Sequence, residues 1–358
     1  MAAMVMTVLA GSAGLASENN EASIGGYYAM RVAGSAHSLS GKVFKKPGIA
    51  GIYLRYYWRD LEPAQGKFHW NDLNRDLKRT LAAGKKFSIG IHAGGYSPSW
   101  LYATGTGIRS IAWSEATHGG TTGCTDYTAP VPYDAPYAPA YIAMIAALHD
   151  HLAARNALPS LTMVKVTPFN DFTEELHLPS SPYKPRSCES DAQSAWLALG
   201  YRPSLVLATF KEIYQQMAGI FPTTVLSFNT IQGNSFPGIS DDGKKVRRTN
   251  DLAEAIIGYA LQQTPGRVTV EDTALSDIYS SPKLVLWAVS QGAIQGWQTN
   301  VHADLRAGCP DRACNSTGYT RLLRNGISSG ASYIELWPRD ALGFSKTVAK
   351  NPIGGRGP

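Results

Sequence analysis

The chain of 358 residues has only four cysteines, and no two of them stand in a Cys-x-x-Cys pair. That spacing removes the common zinc-ribbon and zinc-finger arrangements and favours disulfides over a four-thiolate zinc site. There is no Walker phosphate loop and no RNA-binding signature, so nucleic acid is not an expected partner. No Gly-x-Ser-x-Gly elbow follows an expected strand, since Gly326-Ile327-Ser328-Ser329-Gly330 precedes one, which removes the usual serine-hydrolase chemistry. His69, His92, His118 and His177 are scattered, with no His-Glu-x-x-His helix, so no metal and no other cofactor is expected. No apolar run is long enough to span a bilayer.

Charge is also modest. The formal net value is +6, with 17% charged and 44% hydrophobic residues, an ordinary globular composition. The one dense basic run, Lys244-Lys245-Val246-Arg247-Arg248, adjoins Asp241-Asp242-Gly243 and reads as a solvated turn.

What is present begins with an apolar N-terminus, Met1 to Ala10, followed by small residues up to Ser17 and then Glu18. This resembles the apolar region and cleavage site of a signal peptide without its basic start. Residues 1–17 are accordingly read as a leader remnant, 18–358 as a single domain, and the protein as secreted or periplasmic. An oxidising compartment suits two disulfides. Cys309 and Cys314 flank Pro310-Asp311-Arg312-Ala313, and Cys124 and Cys188 lie in long polar segments assigned to one rim.

Short β-type runs alternate with helical runs along the whole chain. The strands are expected at Ile24–Met30, Ala50–Tyr57, Lys86–His92, Leu161–Thr167, Thr224–Phe228, Arg267–Glu271, Ala293–Trp297 and Ala331–Trp337. Leu73, Leu77 and Leu81 mark a helix over Asp72–Ala83 that Gly84 stops. Tyr141, Ile145, Leu148 and Leu152 mark another, and Val206, Phe210, Ile213 and Met217 a third over Ser204–Ala218. Eight such units make a closed (β/α)8 barrel the expected fold. An open doubly wound sheet is the weaker alternative, because no glycine-rich loop follows the first strand. The loops after strands one, three, four and five are long and those at the opposite end short, which puts the working face at the C-terminal ends of the strands.

Period-two phasing then selects the side chains at that face. In the eighth strand Tyr333, Glu335 and Trp337 turn inward, and an acid between two aromatics needs either a function or a basic partner such as Arg55. The sixth strand offers Glu271, and the third Ser88, Gly90 and His92. After the fourth strand, Asn170-Asp171-Phe172-Thr173-Glu174-Glu175 concentrates carboxylates at a loop entry. Trp58, Trp100, Trp113, Trp297 and Trp337 fall at strand ends or in the loops that follow. Such aromatic faces stack on sugar rings, while Asn170, Asn229, Gln298 and Asn300 would meet hydroxyls. A carbohydrate is therefore the expected partner, and no membrane contact is expected.

The segment Leu54-Arg55-Tyr56-Tyr57-Trp58-Arg59-Asp60-Leu61-Glu62-Pro63-Ala64-Gln65-Gly66-Lys67-Phe68-His69-Trp70 resembles the second-strand region of β-galactosidase-like barrel glycoside hydrolases, where Glu-Pro-x-x-Gly-x-x-x-Trp follows the strand. Ser97-Pro98-Ser99-Trp100-Leu101 is similar to their Pro-x-Trp continuation. The resemblance implies cleavage of a glycosidic bond by two carboxylates, with Glu62 structural. The chain departs from the pattern in having Asn170-Asp171 where Asn-Glu would close strand four, and Gln295-Gly296-Trp297-Gln298 where an acid would close strand seven. The expected pair is then Glu175 as acid and Glu335 as nucleophile or base, with Glu174 and Glu271 in reserve. A non-catalytic carbohydrate-binding barrel is the alternative, motivated by Gln298.

Overall fold

The computed structural model describes residues 24–34, 39–116, 124–180, 191–230, 235–276, 282–299, 316–343 and 353. Eight parallel strands close into a barrel: β1 (Gly26–Arg31), β2 (Ile49–Tyr57), β3 (Lys86–His92), β4 (Leu161–Lys165), β5 (Val225–Thr230), β6 (Val268–Leu275), β7 (Ile294–Thr299) and β8 (Tyr333–Leu336). They neighbour one another in sequence order, and β8 closes on β1 with Tyr28 beside Glu335. The fold is thus a (β/α)8 barrel. Among the described residues no helix is long and apolar enough to cross a membrane.

The sequence forces two layers of packing. Outward residues such as Ile52, Leu54, Ile89, Val164, Phe228, Val270 and Ile334 join the helices Asn71–Ala82, Tyr137–Ala153, Pro203–Ile220, Asp251–Gln263 and Lys283–Ser290 in one continuous core. The barrel interior has its own floor of Ile24, Tyr28, Met163, Val225 and Tyr333, with Ile294 against it. The helix Asn71–Ala82 turns into β3 through Gly84, whose φ of 63° is left-handed and costs glycine little.

Large inward side chains fit because glycines face them. A Cβ at Gly51 would fall 2.3 Å from the Tyr28 ring, one at Gly90 would fall 2.5 Å from the Tyr53 hydroxyl, and one at Gly296 would fall 2.2 Å from the Tyr333 ring. Tyr333 is fully buried and cannot swing away. Gly296→Ala is expected to destabilise by about 1–3 kcal/mol, the usual cost of overpacking a closed core. Urea unfolding checks this, and an unchanged midpoint would show that the tyrosine has room to move.

Most strand ends shift by one or two residues from the sequence expectation, a short helix at Ala192–Ala198 is added, and two further differences are larger. The segment before the helix Tyr137–Ala153 contains an antiparallel hairpin, Ser110–Ala116 with Cys124–Pro130. Its alternation is weak: Ile111 and Trp113 are buried, but the second strand is mostly polar and exposed. Strand β6 runs four residues beyond Glu271, because Asp272 and Thr273 are buried despite their polarity. The basic run at 244–248 lies in an exposed turn where Lys244 pairs with Asp242 at 2.6 Å. Residues 1–17, expected to be a leader remnant, and Cys188, Cys309 and Cys314 fall outside the described residues, and with them both expected disulfide pairings.

Candidate active site

At the C-terminal mouth, alternation brings inward Arg55 from β2, His92 from β3, Lys165 from β4, Asn229 from β5, Glu271 and Thr273 from β6, Gln298 from β7 and Glu335 from β8. Two ionic clusters organise them.

The deeper cluster centres on Lys165, whose ammonium lies 2.9 Å from Glu271 and 2.8 Å from Glu335, with all three side chains 0% exposed. Strands β4 and β8 stand opposite in the barrel, so the lysine spans the interior. Its stem passes the position where a Cβ on Gly90 would stand, 3.1 Å from Lys165 Cγ. Its charge sits 4.8 Å from the Tyr53 ring centre, within cation–π range. Burial works against the ammonium, yet Glu271 and Glu335 raise its pKa and keep it charged. One cation cannot neutralise two carboxylates. Burial first, and Glu271 next, push the Glu335 carboxyl well above the carboxylate range, and burial also raises Glu271. A proton is therefore retained in this cluster. Glu335 meets Lys165 and not Arg55, the basic partner suggested by the sequence.

The upper cluster centres on Glu174. Its Oε2 accepts a hydrogen bond from the Tyr53 hydroxyl at 2.6 Å and lies 3.1 Å from the Arg55 guanidinium and 3.4 Å from His92 Nε2. Its Oε1 accepts from Gln298 Nε2 at 2.7 Å. Burial would raise this carboxyl, but the Arg55 charge and the donors around it win and hold it well below the ordinary range. Burial lowers the His92 pKa, so it stands 3.4 Å from Glu174 as a neutral ring and not as a charge. Gln298 Nε2 also donates to Glu335 Oε2 at 3.3 Å, so one amide joins the two clusters.

The loop after β4 is held by its own polar residues. Asn170 Nδ2 donates to the Glu175 carbonyl at 2.8 Å, and Asp171 lies 2.7 Å from His177 and accepts from the Thr173 N–H at 2.9 Å. Glu175 is 8% exposed, and its Oε1 accepts from the Thr273 hydroxyl at 2.6 Å. Asn170 thus braces the loop rather than pointing into the mouth. Glu62 has its oxygens taken by the Trp58 indole at 2.7 Å and the Gly66 N–H at 2.8 Å.

The tryptophans divide. Trp337 is half-buried, with the Arg55 guanidinium 5.6 Å from its ring centre. Trp100 donates to the Glu62 carbonyl at 2.9 Å and meets Trp58 edge-on. Trp113 stacks on Tyr127. Trp297 is not brought to the mouth: Gly296 and Gln298 face in, so its indole faces out and donates to the Ser329 hydroxyl at 2.7 Å. Half-buried tyrosines not singled out from the sequence, Tyr57 and Tyr96, stack at 3.7 Å near His92. Asn300 and His118 fall outside the described residues. Among the described residues no group of three or more His, Cys, Asp or Glu is arranged to hold a metal. A cavity of about 400 Å³ lies away from this chemistry, between the outer faces of β1 and β2, lined by Arg31, Tyr56, Asp60, His69 and Asp72. Its buried cation, Arg31, is already taken by Asp76 at 3.0 Å.

Lys165 is the residue that sequence reasoning missed. Its signal was present: a lysine two residues after inward Met163, in a run of otherwise uncharged residues.

No family model matches the chain, and no curated protein matches it. Solved structures do match. The catalytic domain of a β-amylase from Paenibacillus polymyxa is 13% identical with a TM-score of 0.58, covering 88% of this chain and 93% of that one. Xylanase B from Clostridium stercorarium is 12% identical with a TM-score of 0.48, covering 87% of this chain and 85% of that one. A psychrophilic family 10 endo-β-1,4-xylanase is 10% identical with a TM-score of 0.46, over 87% and 85% of the two chains. At 13% identity the likeness to the β-amylase domain shows the fold alone.

Proposed function

We propose that the chain is a glycosidase acting on an oligo- or polysaccharide, with Glu335 holding the proton for the leaving oxygen and Glu174 as the ionised carboxylate. One observation carries this reading: a single amide, Gln298, touches two carboxylates whose surroundings push their proton affinities in opposite directions. Hydrolysis of a glycosidic bond needs one protonated and one ionised carboxyl, and environments that separate the two assign the roles. This reverses the expectation for Glu335 as the base, since a buried acid beside Glu271 keeps its proton. Glu175, the acid expected from the sequence, is the alternative donor.

Within that class, the Glu62-Pro63 segment with Gly66 favours the β-galactosidase-like branch, and the apolar leader favours export with paired cysteines. A second reading has a specific observation behind it: Gln298 stands where related barrels carry an acid, which suits a carbohydrate-binding barrel without turnover. A screen of aryl glycosides and of plant, algal and bacterial polysaccharides separates the two. Release of aglycone or reducing ends supports hydrolysis, and binding with no turnover of any substrate overturns it.

A further inference from the structure

Glu174 is fully partnered, but several other buried polar atoms of the mouth are not, among them both ring nitrogens of His92 and the side chain of Asn229. Around Glu174, both oxygens have protein partners on β2, β3 and β7. Across the barrel, Asn229 on β5 is 1% exposed, yet neither its Nδ2 nor its Oδ1 has a protein partner. Glu175 Oε2 is buried and equally without one. More than nine in ten buried polar groups in folded proteins are paired, and an unpaired one costs about 1–3 kcal/mol. Those of Asn229 and Glu175 lie on neighbouring elements at the β5–β6 side and leave a donor and acceptors free to meet something else.

These groups are held together, not scattered. Asn229 stands directly beside Glu271 in the β5–β6 register. Its carbonyl accepts from the Leu176 N–H at 2.8 Å, which fixes the neighbouring Glu175 over β5. Thr273, two residues beyond Glu271, fixes the Glu175 carboxyl from β6. The Glu175 carboxyl and the Asn229 backbone are fixed while Glu175 Oε2 and the Asn229 amide are left unused, an arrangement that suits preorganised recognition.

We infer that the β5–β6 side of the mouth is a subsite for adjacent hydroxyls of a neutral sugar ring, with Asn229 reading one hydroxyl and Glu175 Oε2 accepting from the next. The amide offers both a donor and an acceptor, which matches a hydroxyl, and the carboxylate only accepts. Glu175 and Glu271 oppose phosphate or carboxylate ligands, so the ligand class is polyhydroxylated and uncharged. The inference rests on the glycosidase reading for its substrate class but makes a separate demand on the protein.

The test uses Asn229→Leu, nearly isosteric, together with Asn229→Ala, in the full chain. Binding of D-glucose, D-galactose, D-mannose and D-xylose is followed by saturation-transfer NMR, alongside thermal unfolding. The wild type is expected to bind at least one sugar, both variants to lose about tenfold or more in affinity, and Asn229→Leu to melt higher than wild type because a buried unpaired amide has been removed. Unchanged affinity in both variants, no binding of any sugar to the wild type, or a lower melting temperature for Asn229→Leu with binding retained would each overturn the subsite. Sugar binding that depends on Asn229 in a protein that hydrolyses nothing would uphold the subsite and remove the glycosidase reading. Hydrolysis that ignores Asn229 would do the reverse.

Discussion

Replacing Lys165 with methionine is expected to cost about 3–5 kcal/mol of folding stability, the range for removing one partner of a buried ion pair. Methionine fills the channel beside Gly90 but leaves Glu271 and Glu335 in the same apolar interior without their cation. Both carboxyls are already raised by burial, and without the ammonium they rise further. A carboxyl raised in the folded state contributes its stability below the unfolded pKa, about 4.3 for Glu, and loses it as pH rises through the folded pKa. The deficit of Lys165→Met should therefore be small in acid and grow as pH rises through the raised pKa values of the two carboxyls. Glu174 has the opposite sign. Its folded pKa is depressed, so its contribution is present above about 4.3 and fades as pH falls. Urea titrations across pH read both limbs. Adding Glu271→Gln to Lys165→Met should recover part of the loss by removing one unpaired charge. A deficit independent of pH would mean that packing, not charge, sets the role of Lys165.

The barrel was legible because its signals are local and repeated. Strand Lys86–His92 coincides with the observed β3, and the helix begun by Asn71 starts one residue before its expected position. Period-two phasing also placed Tyr333 and Glu335 inward, and the same rule would have turned Trp297 outward had Gly296 and Gln298 been weighed with it. The site was less legible because its partners are remote in sequence. Lys165 meets Glu271 and Glu335, each more than a hundred positions away, and no spacing within one element encodes such a contact. Glu174 and Glu175 are adjacent in sequence yet face different partners, Arg55 and Thr273, because the loop is pinned by Asn170 between them. Propensity and alternation do not reach a distinction of that kind. The roles of acid and base depend on burial and neighbouring charge, which only the assembled mouth supplies.

Glu335→Gln and Glu174→Gln are each expected to lower kcat by about 10²–10⁴-fold on whichever glycoside is turned over, the range for removing a general acid or base. The two oxygens bound to Gln298 Nε2 lie within about 6 Å of each other, a separation of the order that a pair of catalytic carboxyls spans. In the proposed reaction Glu335 gives its proton to the glycosidic oxygen as the carbon–oxygen bond breaks, and the bonding electrons leave with that oxygen. Glu174 faces the electron-poor sugar carbon, and a water then adds its hydroxide there and returns a proton to the carboxylates. Because Glu335 must be protonated and Glu174 ionised, the rate should fall above the raised pKa of the first and below the depressed pKa of the second. Glutamine at 335 removes the alkaline limb, and substrates with an activated phenolate leaving group should recover much of the loss, since they need little protonation. Glutamine at 174 should show no such recovery. Circular dichroism and thermal melts establish that each variant is folded. If Glu335→Gln keeps wild-type kcat while Glu175→Gln loses activity in this leaving-group-dependent way, the proton donor is Glu175, and the Lys165 cluster beneath it serves stability alone.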